Sequence, residues 1–395
     1  MRQAVRVRVV VAPDKFKGTL SAAAAASAIE AGLLDAAAAM DLEVAVVCRP
    51  VADGGEGTLE AALAAGFEQV RVAAPGPTGV PGEAAYGRRG DEALVELAGI
   101  CGMPRLPGGR LAPLDATTLG LGVAAARAVE AGCRRLVLAI GGSASTDGGA
   151  GLLAGLGAQL LDEEGQPVPP TGRHLERIAR FEPAGLDAGV GGGLHVGGAP
   201  VELVVACDVT NPLLGPAGAA AVFGPQKGAS PAVVTTLEAG LAHWVEVVGA
   251  AVGPARARAA AERPGAGAAG GVGFAAMAVL GARPVPGIDL VLDLVGLDGA
   301  LEGADLVVVG EGSLDDQTRA GKAVAGVARL AAARGIPVAA VAGRVEVDPA
   351  ELAALGIARA VGLTDLAPSG AAALAEPERW LREAGRVLLA GWVAG

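Results

Sequence analysis

Acids and glycine turns recur at five places in this sequence, around Asp14, Asp53, Asp147, Asp208 and Glu311 to Asp315. Each place follows an aliphatic run of the kind that forms a buried strand. In open α/β sheets the carboxyl ends of strands leave a crevice, and the helices that follow point free N–H groups into it, so ligands bind there. The histidines His174, His195 and His243 fall at none of these places, which makes Ser/His/Asp acyl transfer a poor fit. Carboxylates, glycine-rich turns and a few cations suit phosphoryl transfer, in which the protein positions phosphates and Mg²⁺ and an Asp takes the proton of an alcohol. No GxxxxGK[ST] loop is present, because Gly321-Lys322 is followed by Ala323.

Residue types assign the roles. Residues 305–322 open with an aliphatic strand expected at 306–309, stop at Gly310, and then place Glu311, Gly312, Asp315, Asp316 and Lys322 in a strand-to-helix turn. Asp315 is the expected general base, a plain cap for a helix beginning near Gln317 being the competing reading, and Glu311 is expected to orient Lys17 or a Mg²⁺-bound water. Asp208 is the rival base or, alternatively, a Mg²⁺ ligand, and Asp316 adjoins Asp315. Lys15 and Lys17 read equally as cations for a carboxylate or phosphate and as solvated loop lysines. Asp53 and Glu56 flank Gly54 and Gly55, which would let backbone approach a ligand closely; a plain turn with Thr58 as helix cap is the competing reading. Gly141, Gly142 and Ser143 begin a glycine- and serine-rich run whose N–H groups suit a phosphate, with Asp147 able to cap or to bind metal. Tight packing alone would also explain that run. Asn211 opens a turn after Asp208. Lys227 stands between Gly224 and Gly228, where a lone lysine is a surface residue by default.

The elements that must position these residues follow from composition and periodicity. At 395 residues the chain exceeds the usual limit of one hydrophobic core, so two domains are expected. With 52% hydrophobic but only 2% aromatic residues, the cores are built from Val, Leu, Ile and Ala, which argues against a base-stacking nucleic-acid binder. The net charge of −11, with no Lys/Arg run, leaves any anionic ligand to a few placed groups. Cys48, Cys101, Cys133 and Cys207 form no CxxC pair and read as small buried hydrophobes in a reducing compartment. No signal peptide is evident, and the uncharged span 265–282 is too rich in glycine to cross a membrane.

Strands are expected at 5–11, 43–48 and 69–73, with helices at about 21–39 and 59–65. Alternation then gives way, from about 75 to 286, to paired strands at 83–88 and 93–97, a helix at 118–131, strands at 136–140 and 202–206, and a glycine-rich loop at 185–198. It resumes with a helix at 288–301, strands at 338–341 and 358–361, and helices at 349–355 and 374–389. The fold class is therefore α/β: residues 1–75 and 287–395 form one doubly wound, mostly parallel sheet domain of Rossmann type, 76–286 an inserted α/β domain, and the interdomain cleft holds the ligands. There Lys17 and the N–H groups of 141–145 are expected to hold a phosphate or a carboxylate.

Six runs carry a resemblance: APDKFKGTLSA (12–22), PVADGGEGT (50–58), GGSASTDGGAG (141–151), DVTNPLLG (208–215), FGPQKGA (223–229) and GEGSLDDQT (310–318). In this order they resemble the bacterial class I glycerate kinases over nearly the whole chain. The resemblance implies an ATP- and Mg²⁺-dependent cytoplasmic kinase acting on D-glycerate, 2-phosphoglycerate being favoured over 3-phosphoglycerate as product. Glycerate and ATP would be its partners, with no nucleic acid or membrane, and a homodimer is compatible. Lys15 stands where such proteins often carry Ser, which shifts weight to Lys17, while Thr146 replaces a more usual Asn and Ser313 a more usual Arg or Lys. Two other classes compete: a non-catalytic sensor of small hydroxy acids, which has no need of so many carboxylates, and a nicotinamide-dependent dehydrogenase. The only GxGxxG, at 265–270, follows a charged helical segment and a proline rather than a strand, which argues against the dehydrogenase.

Overall fold

The computed structural model describes residues 6–183, 194–196, 199–315 and 323–394. Its strands are, in chain order, β1 (Arg6–Pro13), β2 (Glu43–Cys48), β3 (Glu68–Ala73), β4 (Glu83–Arg89), β5 (Glu92–Glu96), β6 (Arg135–Ala139) and β7 (Gln159–Leu161). They continue as β8 (Arg180–Glu182), β9 (Leu194–Val196), β10 (Ala199–Ala206), β11 (Arg283–Val285), β12 (Leu306–Leu314), β13 (Val338–Val345) and β14 (Ile357–Gly362). The chain divides into a first unit of Met1–Asp53, Glu60–Gly66 and Ile288–Gly395, and a second of Gly54–Leu59 and Phe67–Gly287.

The first unit is built on a parallel sheet in the order β14-β13-β12-β1-β2. Side chains alternate across it: Val9, Val11, Leu306 and Val308 join one core, and Val10, Ala12, Val307 and Val309 the other. Both faces are covered, which is why these strands read as unbroken aliphatic runs. Helices Ala22–Ala39 and Pro377–Ala394 cover one face, and Ile288, Val291 and Val327 pack on the other. Ser21 caps Ala22–Ala39 by accepting from the Ala24 N–H. That helix is long and apolar enough to cross a membrane, but its buried side lies on the sheet core.

The second unit carries a mixed sheet in the order β11-β10-β6-β5-β4-β3, with β9 beside β10. Strands β5, β6, β10 and β11 are parallel neighbours, and β3, β4 and β5 form an antiparallel meander. The strand expected at 69–73, placed by the sequence reading with residues 1–75, pairs with β4 and sits in this sheet. Its Val70 and Val72 pack on the second unit's core, and that burial decides which sheet it joins. The long helix expected at 288–301 is broken into Gly287–Leu294 and Leu297–Ala300 by Gly296, which is left-handed at φ 63°. Most of the loop expected at 185–198 lies outside the described residues.

Candidate active site

In the first unit, β1 ends at Pro13 opposite Gly310 of β12, and the Asp14 N–H donates to the Gly310 carbonyl at 2.8 Å. The Lys15 N–H donates to Asp14 Oδ1 at 2.6 Å, and Lys15 Nζ lies 3.7 Å from the same oxygen. Backbone bonds from Arg49 to Val11 and from Val51 to Pro13 extend the β1–β2 ladder and carry the chain to Asp53. Burial pushes the Asp14 carboxyl up to about 6; the Lys15 charge opposes this and the Asp53 charge adds to it. Phe16 is buried and anchors a turn closed by bonds between Phe16 and Leu20, which leaves Lys17 exposed at the tip. The lysine engaged with an acid is thus Lys15.

The aliphatic run does not stop at Gly310. Strand β12 continues to Leu314, pairing Glu311 with Ala342, Ser313 with Arg344 and Leu314 with Val345. Glycines made the run read as a strand end, yet here they let backbones approach: a Cβ on Gly310 would lie 3.0 Å from the Val341 carbonyl oxygen, and one on Gly312 3.4 Å from the Lys17 nitrogen. Glu311 is buried within the strand, and Asp315 is half-buried one residue past its end. Ser313 Oγ is buried without a hydrogen-bond partner among the described residues. Asp316 and Lys322 lie outside the described residues.

In the second unit the ends of β5, β6 and β10 are level, with Glu96 paired to Ala139 and Ala139 to Ala206. The turn of Gly54 and Gly55 packs directly on these ends. The Gly141 N–H donates to the Gly54 carbonyl at 3.3 Å; a Cβ on Gly141 would lie 2.6 Å from Gly55 Cα, and one on Gly54, where φ is 86°, 3.0 Å from Gly287 Cα. These glycines therefore serve close approach of the protein's own backbone. Thr58 Oγ1 donates to the Gly55 carbonyl and the Leu59 N–H to Glu96 Oε2, both holding the turn. Glu56 is exposed on it.

Asp147 is fully buried and holds the loop from below. Its Oδ2 accepts from the Thr118 N–H and Thr118 Oγ1, both at 2.7 Å, and from the Gly151 N–H at 3.3 Å, while Oδ1 accepts from the Gly149 N–H at 3.1 Å. Burial raises its pKa against these bonds, those from Thr118 foremost. With its oxygens so engaged, Asp147 is a strut, and the metal role weighed from sequence does not fit it. Trp244 Nε1 donates to the Gly148 carbonyl at 3.1 Å and props the same loop. Lys227, by default a surface residue, is only 3% exposed. Its Nζ donates to the Ser145 carbonyl at 2.5 Å and to Ser143 Oγ at 3.3 Å, and burial pushes its pKa down to about 8 against the pull of Asp147. Thr146 Oγ1 is buried without a partner among the described residues.

Asp208 follows β10 half-buried, and its Oδ1 accepts from the Gly287 N–H at 2.6 Å. Asn211 Nδ2 donates to the Ala217 carbonyl at 2.8 Å, closing the turn after it. No group of three or more His, Cys, Asp or Glu side chains that could hold a metal occurs among the described residues. A single half-buried carboxylate such as Asp208 would suit a hard cation that takes its other ligands from water and anionic groups. Sequence reasoning gave no role to Asp14, Glu96, Thr118 or Trp244. Asp14 had a signal, since it marks the first strand end; nothing local marks the other three, whose roles come from contacts distant in sequence.

Residues 9–393 match the model of the Glycerate kinase family. The chain is 39% identical to "Glycerate kinase" of Bacillus subtilis (strain 168) and 39% identical to "Glycerate 2-kinase" of Escherichia coli (strain K12), in each case over 87% of this chain and 86% of the relative. A crystal structure of putative glycerate kinase 2 from Salmonella typhimurium LT2 superposes with a TM-score of 0.81 at 36% identity, covering 99% of both chains.

Proposed function

Because the chain belongs to the glycerate kinase family, enzymes that phosphorylate glycerate with ATP, we propose that it transfers the γ-phosphoryl group to the 2-hydroxyl of D-glycerate with Mg²⁺ bound. The observation that carries this reading is a family match spanning nearly the whole chain together with the strand ends of both units, which present the acids, cations and glycine turns that phosphoryl transfer uses. Neither a sensor of hydroxy acids nor a nicotinamide-dependent dehydrogenase is favoured.

In the second unit, the turn of Gly141, Gly142 and Ser143 takes an anionic group, with Lys227 behind it as a fixed positive charge and Asn211 closing the neighbouring turn. Asp208 has one oxygen on the Gly287 N–H and is the carboxylate that would hold Mg²⁺. When bound, the metal neutralises charge on the transferring phosphates. In the first unit, Lys15, Lys17, Asp53, Glu311, Gly312 and Asp315 bind and orient the polar groups of the substrates, and an acid from this set or its neighbour Asp14 takes the hydroxyl proton. Four cysteines without disulfides and ATP as donor suit a cytoplasmic enzyme.

ADP release by the purified protein, followed with and without D-glycerate, tests the reading, and phosphorus NMR of the product separates the two positions. ADP formation indifferent to D-glycerate overturns the kinase assignment, and a 3-phosphoglycerate product overturns the choice of hydroxyl.

A further inference from the structure

Resting on the kinase reading, we propose that Asp14, rather than Asp315, is the catalytic residue that accepts the proton of the glycerate hydroxyl. In this step the hydroxyl oxygen bonds to the γ-phosphorus, the bond from that phosphorus to the β,γ-bridging oxygen breaks to release ADP, and the hydroxyl proton passes to the Asp14 carboxylate.

Strand register separates the two acids. Asp14 follows directly on β1 and is bonded through its N–H to Gly310, so it stands where β1 ends beside a longer neighbour. Asp315 stands four residues beyond Glu311, the residue level with Asp14, roughly 13 Å along the strand at ~3.3 Å per residue. On this register the two carboxylates lie at different levels along the strand. At the Asp14 level the sheet presents Glu311, buried in β12, and Asp53 beyond the end of β2, whereas Asp315 follows a strand whose outer pairing, among the described residues, is to β13.

The surroundings of Asp14 also suit a proton acceptor. The groups facing it are Lys15 on its own turn and Asp53 from the segment after β2, with Glu311 on the adjoining strand. Burial foremost, with the Asp53 charge adding and the Lys15 charge opposing, leaves the carboxyl ionised at neutral pH yet more basic than an ordinary Asp, the balance a general base needs. Lys15 fixes one carboxylate oxygen through both its N–H and its ammonium. That double hold gives the charged residue at position 15 a function: it orients the base.

The test is the pH dependence of kcat/KM for D-glycerate in the wild type and in Asp14→Asn, Asp315→Asn, Asp53→Asn and Lys15→Met, with thermal unfolding as a check on folding. Wild type should lose activity on an acid limb near pH 6, where the Asp14 carboxyl titrates. Asp14→Asn should lower kcat by about 10²- to 10⁴-fold and remove the limb. Asp53→Asn removes a charge that raises Asp14 and should move the limb to lower pH; Lys15→Met removes one that lowers it and should move the limb higher. Asp315→Asn should leave the limb in place whatever it does to KM. The opposite shifts are read on variants other than Asp14 itself, so the assignment stays exposed if Asp14→Asn folds poorly. An Asp14→Asn enzyme within a few-fold of wild type, or a limb unmoved by Asp53→Asn and Lys15→Met, overturns it while leaving the kinase reading intact. A wild type with no glycerate-dependent ADP release overturns both.

Discussion

Lys227 Nζ sits 2.5 Å from the Ser145 carbonyl oxygen, and the lysine is almost wholly removed from solvent. A cation in that position makes the loop after β6 electropositive from within, although the chain as a whole is acidic. The nearest compensating charge is that of Asp147, which is itself held by Thr118 and by backbone N–H groups. An anion arriving at Gly141 to Ser143 would thus meet a loop backed by a buried positive charge.

Burial of that charge should be measurable as pH-dependent stability. Lys227 is lowered from an ordinary 10.5 to about 8 in the folded state, so the unfolded chain binds the extra proton between those values. Stability relative to a Lys227→Met variant should therefore rise as pH climbs from about 8 to about 10.5, by roughly 3 kcal/mol at 1.36 kcal/mol per pH unit. Denaturant unfolding at pH 7.5 and pH 10.5 checks this, and a constant difference between the two proteins would contradict it. Ligand binding should oppose the trend, because a bound anion favours the protonated lysine.

Asp147→Asn should destabilise the second unit and loosen the same loop. The carboxylate accepts from Thr118, Gly149 and Gly151, and an amide of the same shape turns one acceptor oxygen into a donor facing donors. Leaving buried donors unmet costs about 1–3 kcal/mol each, so a loss of roughly 2–4 kcal/mol is expected in chemical denaturation. KM for the anionic ligand of the loop should rise with it. An unfolding midpoint equal to that of wild type would return Asp147 to a binding role.

The aliphatic strands were legible because Val-rich runs such as residues 9–11 and 306–309 are buried on both faces, and burial on both faces requires apolar residues throughout. The five strand-end places were legible for a related reason, since only polar residues and glycines interrupt such runs. What the glycines do there was not legible. Gly54 and Gly141 meet other backbone, and Gly310 and Gly312 lie inside a strand, but a glycine looks the same in sequence whether it faces a ligand, a turn or a neighbouring strand. Lys227 was misjudged for a similar reason, because its burial is made by the loop after β6, more than eighty positions earlier.

Close backbone approach predicts unequal costs for alanine substitutions. A Cβ at Gly141 would press on Gly55 Cα at 2.6 Å, and neither partner is a flexible side chain, so the turn of Gly54 and Gly55 must move off the strand ends. Gly18, with φ 81°, has open space around it and bears only backbone strain. Gly141→Ala should lose about 2–3 kcal/mol, in line with overpacking, and most of its activity, while Gly18→Ala loses about 1 kcal/mol. Thermal melts of the two variants side by side check the ranking, and the reverse order would mean that the turn is not seated as described.

Asp208 offers the final prediction, because its geometry supports three roles that one substitution separates. Its Oδ1 accepts the N–H of Gly287, the first residue of helix Gly287–Leu294, so it is at least a helix-start acceptor. Asparagine keeps that oxygen and the side-chain volume but removes the charge. If Asp208 holds Mg²⁺ in the nucleotide complex, Asp208→Asn should raise the Mg²⁺ concentration for half-maximal activity by about tenfold or more, equivalent to 1.4 kcal/mol of binding, and excess Mg²⁺ should restore much of the turnover. If Asp208 were the general base, turnover would fall by a factor that excess Mg²⁺ could not recover. If it only receives the helix start, activity would be nearly unchanged and stability would drop by about 0.3–1 kcal/mol from the lost charge near the helix dipole. The expected outcome is the first, because a half-buried carboxylate at a strand end, with one oxygen fixed by the Gly287 N–H, is the kind of hard oxygen ligand that Mg²⁺ takes beside phosphate and water. Initial rates of Asp208→Asn across a Mg²⁺ titration at fixed ATP, with a melt at each end, decide among the three.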